Sequence, residues 1–143
     1  MASNLLTEMM EGLPHARAIG LRAVSAANGV AVMAVDWRAD LVGDPDTGVI
    51  HGGVVTALLD TCCGMAVLAA PGSAAATATL DLRIDYMRAA RPGATVTARA
   101  ECIRSSRSVA FVRATAWDAD PADPVAQAAG AFMLTAAAEE GGA

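Results

Sequence analysis

The sequence predicts an α+β domain in which one long helix is wrapped by an antiparallel sheet. Three observations predict it. The apolar run VVTALLDTCCGMAVLAA, residues 54–70, outruns an ordinary strand and closes at Pro71-Gly72, a helix stop. A hairpin signal precedes it. Three or four consecutive strand patterns follow it, without the β-α alternation of a parallel sheet.

The elements follow in order. Residues 4–11 suit a short helix, and Gly12, Pro14 and Gly20 then punctuate the chain. Residues 21–27 and 30–37 flank Asn28-Gly29, which supplies the positive φ values of a two-residue primed turn. Residues 38–50 are rich in Asp, Gly and Pro and read as a loop. The long helix comes next, apolar nearly all round and therefore expected to be buried. From Thr77 to Tyr86 polar and apolar residues alternate with period two, so Thr79 shares a face with Asp81 and Arg83. Pro92-Gly93 turns the chain into a strand over 95–103, Arg104 to Arg107 form a turn, and 108–117 is another strand. An acidic loop, 118–124, leads to a last strand over 125–135, although its alanines would also suit a helix. The tail 136–143 is expected to fray.

The 143 residues make one domain, 1–143. A hydrophobic fraction of 55% with 17% charged residues excludes disorder. Alanine accounts for 35 residues and aromatics for only 3%, so bulky core side chains are few. Small apolar residues in surplus point to close backbone packing or to burial between subunits. The first residues lack a basic stretch, and Thr56, Asp60 and Thr61 interrupt the apolar run. Neither a secretory signal nor a membrane span is expected. Three cysteines, two of them adjacent, and only two histidines give no metal spacing. A reduced, cytoplasmic protein with inert cysteines is the expectation.

A net charge of −5 argues against nucleic acid as a partner. The charge is uneven, however. Residues 83–113 hold seven arginines against two acids, for +5, while each flank carries −5. Arginine forks suit phosphate, although strands can equally present solvated arginines on an outer face.

One residue stands out. Asp60 interrupts the middle of the apolar helix, with Thr56 and Gly64 one turn away on the same face. A carboxylate there is costly unless paired or used, and desolvation strengthens a carboxylate as a general base. The helix opens with His51-Gly52-Gly53, where free N–H groups and the positive helix end can meet an oxygen gaining charge. Nine residues at 1.5 Å each separate His51 from Asp60 by about 13 Å. One carbonyl cannot touch both within a chain, but the two could meet across a symmetric dimer. The plainer alternative is that Asp60 bonds a core Thr or Arg and that the glycines form only a tight turn.

The stretch from Gly48 to Thr61 resembles the signature of hotdog-fold acyl-CoA thioesterases of the phenylacetate-degradation type: His-Gly-Gly, then an acidic residue nine positions after the His. Asp81, Tyr86-Met87, Arg88 and Arg91-Pro92-Gly93 extend the resemblance. It implies a hotdog fold with active sites at a dimer interface, in a homodimer or a dimer of dimers. It implies that Asp60 is the base or nucleophile, that the Gly52 N–H polarises the thioester carbonyl, and that His51 shapes the turn. Thr79 falls where some members hold the attacking water. Gly53, Arg88, Arg91, Arg104, Ser105, Ser106 and Arg107 fall where members contact coenzyme A. Some relatives place Asn or Gln before the His; here the loop reads Asp44-Pro45-Asp46. The implied activity is acyl-CoA hydrolysis with no metal or bound cofactor, coenzyme A being part of the substrate. Alternatives are a non-catalytic acyl-CoA-binding module and, further off, a hydratase or dehydratase of the same fold, whose acid-base His contexts are absent. Leu41, Val42, Met65, Leu68 and Met87 are candidates for the acyl pocket.

Overall fold

The protein is described by a computed structural model covering residues 2–72 and 75–135; the tail expected to fray lies outside the described residues. The chain runs α1 (Ala2–Glu11), α2 (Pro14–Ile19), β1 (Leu21–Ala27), β2 (Val30–Val35), a 3-10 turn (Ala39–Leu41), β3 (Val42–Asp44), β4 (Val49–Ile50), α3 (Gly52–Leu68), β5 (Ala76–Tyr86), β6 (Val96–Ser105), β7 (Val109–Trp117) and β8 (Ala126–Thr135). Six strands form one antiparallel sheet in the order β1-β2-β6-β7-β8-β5, and α3 packs across it.

The β1–β2 hairpin turns at Asn28 and Gly29, both at positive φ, as Asn-Gly predicts. Between Gly12 and Gly20 the punctuation encloses a helix rather than a loop. Pro14 sits in the first turn of α2, and left-handed Gly20 caps its end, donating to Ala16 O and Arg17 O. The segment 38–50 is not a plain loop either: β3 and β4 pair as a small hairpin. It closes against the start of α3, so tightly that a Cβ on Gly43 would lie 2.7 Å from His51 Cα.

Alanines explain how α3 sits so near the sheet. Ala31, Ala98, Ala100, Ala110, Ala116 and Ala126 are all fully buried on the strands beneath the helix. Leu58, Leu59, Cys62, Cys63 and Met65 fill the space from the helix side. The expectation of an all-round buried helix needs correction: Thr56, Ala57, Asp60, Thr61, Gly64 and Leu68 are only half-buried and form one open stripe. Ala-rich β8 is a strand because Ala126, Ala128, Gly130 and Phe132 alternate inward between two paired neighbours.

The two sheet edges differ. α1 packs on β1, where the Ala23 N–H donates to Glu11 Oε1 beside a bulge. β5, eleven residues long, has no strand on its outer side among the described residues, and Leu80 and Tyr86 on it are more than half exposed. Within β5 a bulge falls at Leu80, since Thr79 pairs with Phe132 and Asp81 with the next residue, Ala131. The extra residue shifts the strand's parity. Thr77 and Thr79 before it, and Leu82, Ile84 and Tyr86 after it, all face α3. The uniform period-two strand expected from the sequence therefore misplaces Thr79, which faces the helix and not the side of Asp81 and Arg83.

Candidate active site

Asp60 lies midway along the open stripe of α3. Thr79 Oγ1 on β5 donates to Asp60 Oδ1 at 2.7 Å, its only hydrogen bond among the described residues. The second carboxylate oxygen is left for an outside donor. The pairing with a threonine agrees with the plainer alternative, but this threonine belongs to an exposed edge strand and not to the core. The carboxylate is thus oriented and reachable, which a positioned base requires.

At the helix start, His51 is the N-cap: its Nδ1 accepts from the Gly53 N–H at 2.8 Å. An acceptor Nδ1 places the ring proton on Nε2. A Cβ on Gly53 would lie 2.9 Å from that same Nδ1, so only glycine lets the ring fold back over the turn. The Gly53 donor, expected to meet substrate, is taken up by the cap. The Gly52 N–H has no hydrogen bond among the described residues, and Gly52 is exposed. The Gly52 carbonyl accepts from Thr56 Oγ1 at 3.1 Å. Thr56 in turn accepts from Tyr86 OH, since its single proton is already committed. Tyr86 and Thr56 therefore anchor the Gly52 peptide from β5. Neither side chain's role was visible in the sequence, because it depends on β5 lying beside the helix start.

Several hollows adjoin these groups. A cleft of about 360 Å³ between α1, α3 and β5 is lined by Asp60 and Thr79 together with Met9, Met10, Leu13, Gly64, Leu68 and Phe132. A second, of about 330 Å³, lies between Asp60, Thr79 and Tyr86. A third, of about 430 Å³, opens beside Gly52, Tyr86, Met87 and Arg88. Of the five candidates for an acyl pocket, only Leu68 lines the cleft at Asp60. Met65 is fully buried, Leu41 and Val42 line a separate hollow at His51, and Met87 lies by Gly52.

The predicted phosphate-binding residues fall into two groups. Arg88 spends all five of its N–H donors within the chain: on both oxygens of Asp118 (2.7 and 2.9 Å), on Asp123 Oδ1, and on the carbonyls of Asp123 and Ala89. Asp118 has a fully buried carboxylate that also accepts from the Arg91 N–H at 2.9 Å. The Arg88 guanidinium holds that carboxyl far below the usual carboxylate range. Arg88 thus knots two loops together and has no donor left over for a phosphate in this arrangement. Arg91 is 68% exposed and only 4.0 Å from Asp118, so it is available. The turn expected over 104–107 is shorter: Arg104 and Ser105 end β6, paired with Phe111 and Ala110, and Ser106 and Arg107 lie in the β6–β7 turn, which Ser106 closes by bonding Val109. Arg104 and Arg107 are exposed and make no ion pair among the described residues. Strand register places this turn at the Thr77 end of β5, whereas Arg88 and Arg91 follow the Tyr86 end. The structure does not bring the two groups together within one chain.

Before the helix, Asp44 turns inward on its own loop, accepting from the Asp46 N–H and the Thr47 hydroxyl. Burial pushes the Cys62 thiol up to about 12 and raises Cys63 as well, so neither is a nucleophile at neutral pH. Among the described residues, no three His, Cys, Asp or Glu side chains gather as a metal would require. No helix among them is long and apolar enough to cross a membrane.

Comparison with known proteins places these features in context. Residues 47–125 match the thioesterase superfamily. The chain is 28% identical over 114 residues to the medium/long-chain acyl-CoA thioesterase YigI of Salmonella typhimurium, covering 71% of this chain and 73% of that protein. A mutant of the phenylacetic acid degradation protein PaaI from Thermus thermophilus superposes with a TM-score of 0.74 at 32% identity, over 85% of this chain and 98% of that one. A Pseudomonas aeruginosa protein of solved structure reaches a TM-score of 0.83 at 35% identity, over 92% and 98%.

Proposed function

The chain is a hotdog-fold member of the thioesterase superfamily, and on that premise we propose that it hydrolyses acyl-CoA thioesters at a site shared by two subunits. The observation that carries this reading is Asp60: an oriented, reachable carboxylate on an otherwise apolar helix, held by Thr79 and lining a largely apolar cleft. Asp60 takes a proton from water as the oxygen attacks the thioester carbonyl. The carbonyl electron pair moves onto oxygen, which the free N–H of Gly52 of the partner subunit stabilises. The tetrahedral intermediate collapses, the C–S bond breaks, and the proton on Asp60 neutralises the departing thiolate. The products are the free acid and coenzyme A.

Two chains are needed because Gly52 and Asp60, eight residues apart on one helix, are separated by about 12 Å. The open β5 edge supports a homodimer, since unpaired edges of this length invite pairing. Symmetry makes the pairing of β5 with its own copy antiparallel. That arrangement carries the Arg104–Arg107 turn of one subunit to the same end of the joint sheet as Arg91 of the other. One coenzyme A could then draw on both basic groups, with the hollow beside Gly52 as its approach.

The test is Asp60→Asn with thiol release as the readout. Removal of a general base lowers kcat by about 10²–10⁴-fold. An Asn variant with undiminished turnover rules out this mechanism. A wild type that binds acyl-CoA without cleaving it favours the binding module.

A further inference from the structure

The cleft between α1 and α3 runs along α3 from the proposed reacting groups, and its lining identifies what enters it. Asp60 and Thr79 line one part of it, Gly64 lies one helical turn along α3, and Leu68 two turns along. We infer that this cleft holds the acyl chain, and that it takes an unbranched aliphatic chain of about ten carbons, the reach of eight helical residues at 1.5 Å each. The inference rests on the reading of the chain as an acyl-CoA hydrolase.

Away from Asp60 and Thr79 the walls are largely apolar. Met9 of α1 and Leu13, the N-cap of α2, keep 47% and 40% of their surface exposed, an unusual disposition for large apolar side chains facing one concavity. Methionine walls are soft and fit a flexible chain without imposing one rigid outline. Gly64 sets the width. A Cβ there would lie 3.8 Å from Thr77 Cγ2 and 4.0 Å from Phe132 Cε2, in ordinary contact with both. The gap at Gly64 is therefore about one methylene thick, wide enough for a straight chain and too narrow for a branched one. An aryl acetyl group would end near Gly64 and leave the Leu68 end of the cleft empty.

The same measurements make Gly64 the residue that fixes chain length. An alanine methyl would itself occupy that gap, in ordinary contact with both walls, and a leucine would reach past it into the cleft. Neither threatens α3, because glycine is the weaker helix former.

The experiment measures kcat/KM for butyryl-, octanoyl-, decanoyl- and phenylacetyl-CoA on the wild type and on Gly64→Leu. Binding of S-butyl- and S-decyl-coenzyme A, which cannot be hydrolysed, is measured alongside by calorimetry. In the wild type kcat/KM should rise about fourfold per methylene up to about ten carbons and exceed that for phenylacetyl-CoA. In Gly64→Leu the decanoyl-to-butyryl ratio should fall about 100-fold, as three to four methylenes are shut out, and the S-decyl-to-S-butyl binding ratio should fall with it. An unchanged ratio in the variant, or a wild-type preference for phenylacetyl-CoA, overturns the assignment. If the wild type cleaves nothing yet binds S-decyl-coenzyme A more tightly than S-butyl in a Gly64-dependent way, hydrolysis fails and the acyl cleft stands. If binding shows no dependence on chain length, the cleft is not the acyl site.

Discussion

Thr79 Oγ1 donates to Asp60 Oδ1 at 2.7 Å, joining the open edge strand to the one acidic residue of α3. The bond holds the carboxylate in one rotamer and leaves its other oxygen for water. Thr79→Ala should lower kcat by about 10-fold to 100-fold with a smaller change in KM, because a base displaced from its geometry loses proton-transfer efficiency. Thr79→Ser keeps the hydroxyl and should restore most of the rate. Steady-state kinetics on both variants decide the point: equal losses in the two would mean that packing, not the hydrogen bond, is what matters.

A second prediction concerns the turn at the helix start. His51 Nδ1 closes the first turn on the Gly53 N–H, and a Cβ on Gly53 would stand 2.9 Å from that nitrogen. Gly53→Ala should push the ring aside, cost about 1 kcal/mol as lost helix caps do, and reduce turnover by disturbing the Gly52 peptide. Gly43→Ala should be worse for stability, since its Cβ would meet backbone 2.7 Å away, which cannot yield as a side-chain tip can. Urea titrations of the two variants give the ranking; a Gly43→Ala protein as stable as the wild type would contradict it.

How much of this was legible in the sequence depended on the reach of each signal. The Asn28-Gly29 hairpin, the helix ending near Pro71 and the position of Asp60 rest on neighbours within a few residues, and these held. Helix α2 escaped because Pro14 and Gly20 read equally well as breakers or as the two ends of a short helix. The facing of Thr79 escaped because a bulge at Leu80 costs one residue of register and leaves no mark on an alternating pattern. The fate of Arg88 escaped because its partners, Asp118 and Asp123, lie thirty and more residues away. Nothing in a run of arginines distinguishes one destined for a buried carboxylate from those left in solvent. The acyl cleft was hidden for the same reason, as Met9 and Leu13 reach Gly64 only through the fold.

The Arg88–Asp118 pair makes stability depend on acid. Arg88, first through its hydrogen bonds, keeps Asp118 ionised in the fold well below its ordinary range. A carboxyl depressed in the folded state stabilises above its unfolded pKa, about 3.9, and that stability drains away as pH falls further toward the folded value. The urea midpoint should therefore vary little on this pair's account between pH 7 and 5 and drop below about pH 4. Asp118→Asn should lower Tm at pH 7, on the order of 5–10 °C, and flatten the acid limb. A variant whose acid limb matches that of the wild type would locate the acid sensitivity elsewhere.

The open edge of β5 yields the last prediction. Leu80, at the bulge, is 58% exposed, and Ala78 beside it is exposed too. Paired antiparallel with its copy, this edge would bury both and bring Gly52 of the partner subunit toward Asp60. Ala78→Lys combined with Leu80→Lys puts two charges on each copy of this edge, opposes their burial and should leave a folded monomer. Neither residue touches Asp60 or the Gly52 turn, so any loss of hydrolysis reports the missing partner. Turnover should fall by about 10²–10³-fold, the effect of removing one oxyanion donor. Sedimentation equilibrium and circular dichroism establish the state of each protein before its rate is measured. A wild type that sediments as a monomer and still hydrolyses thioester would place the whole reaction within one chain, and the shared site would have to be abandoned.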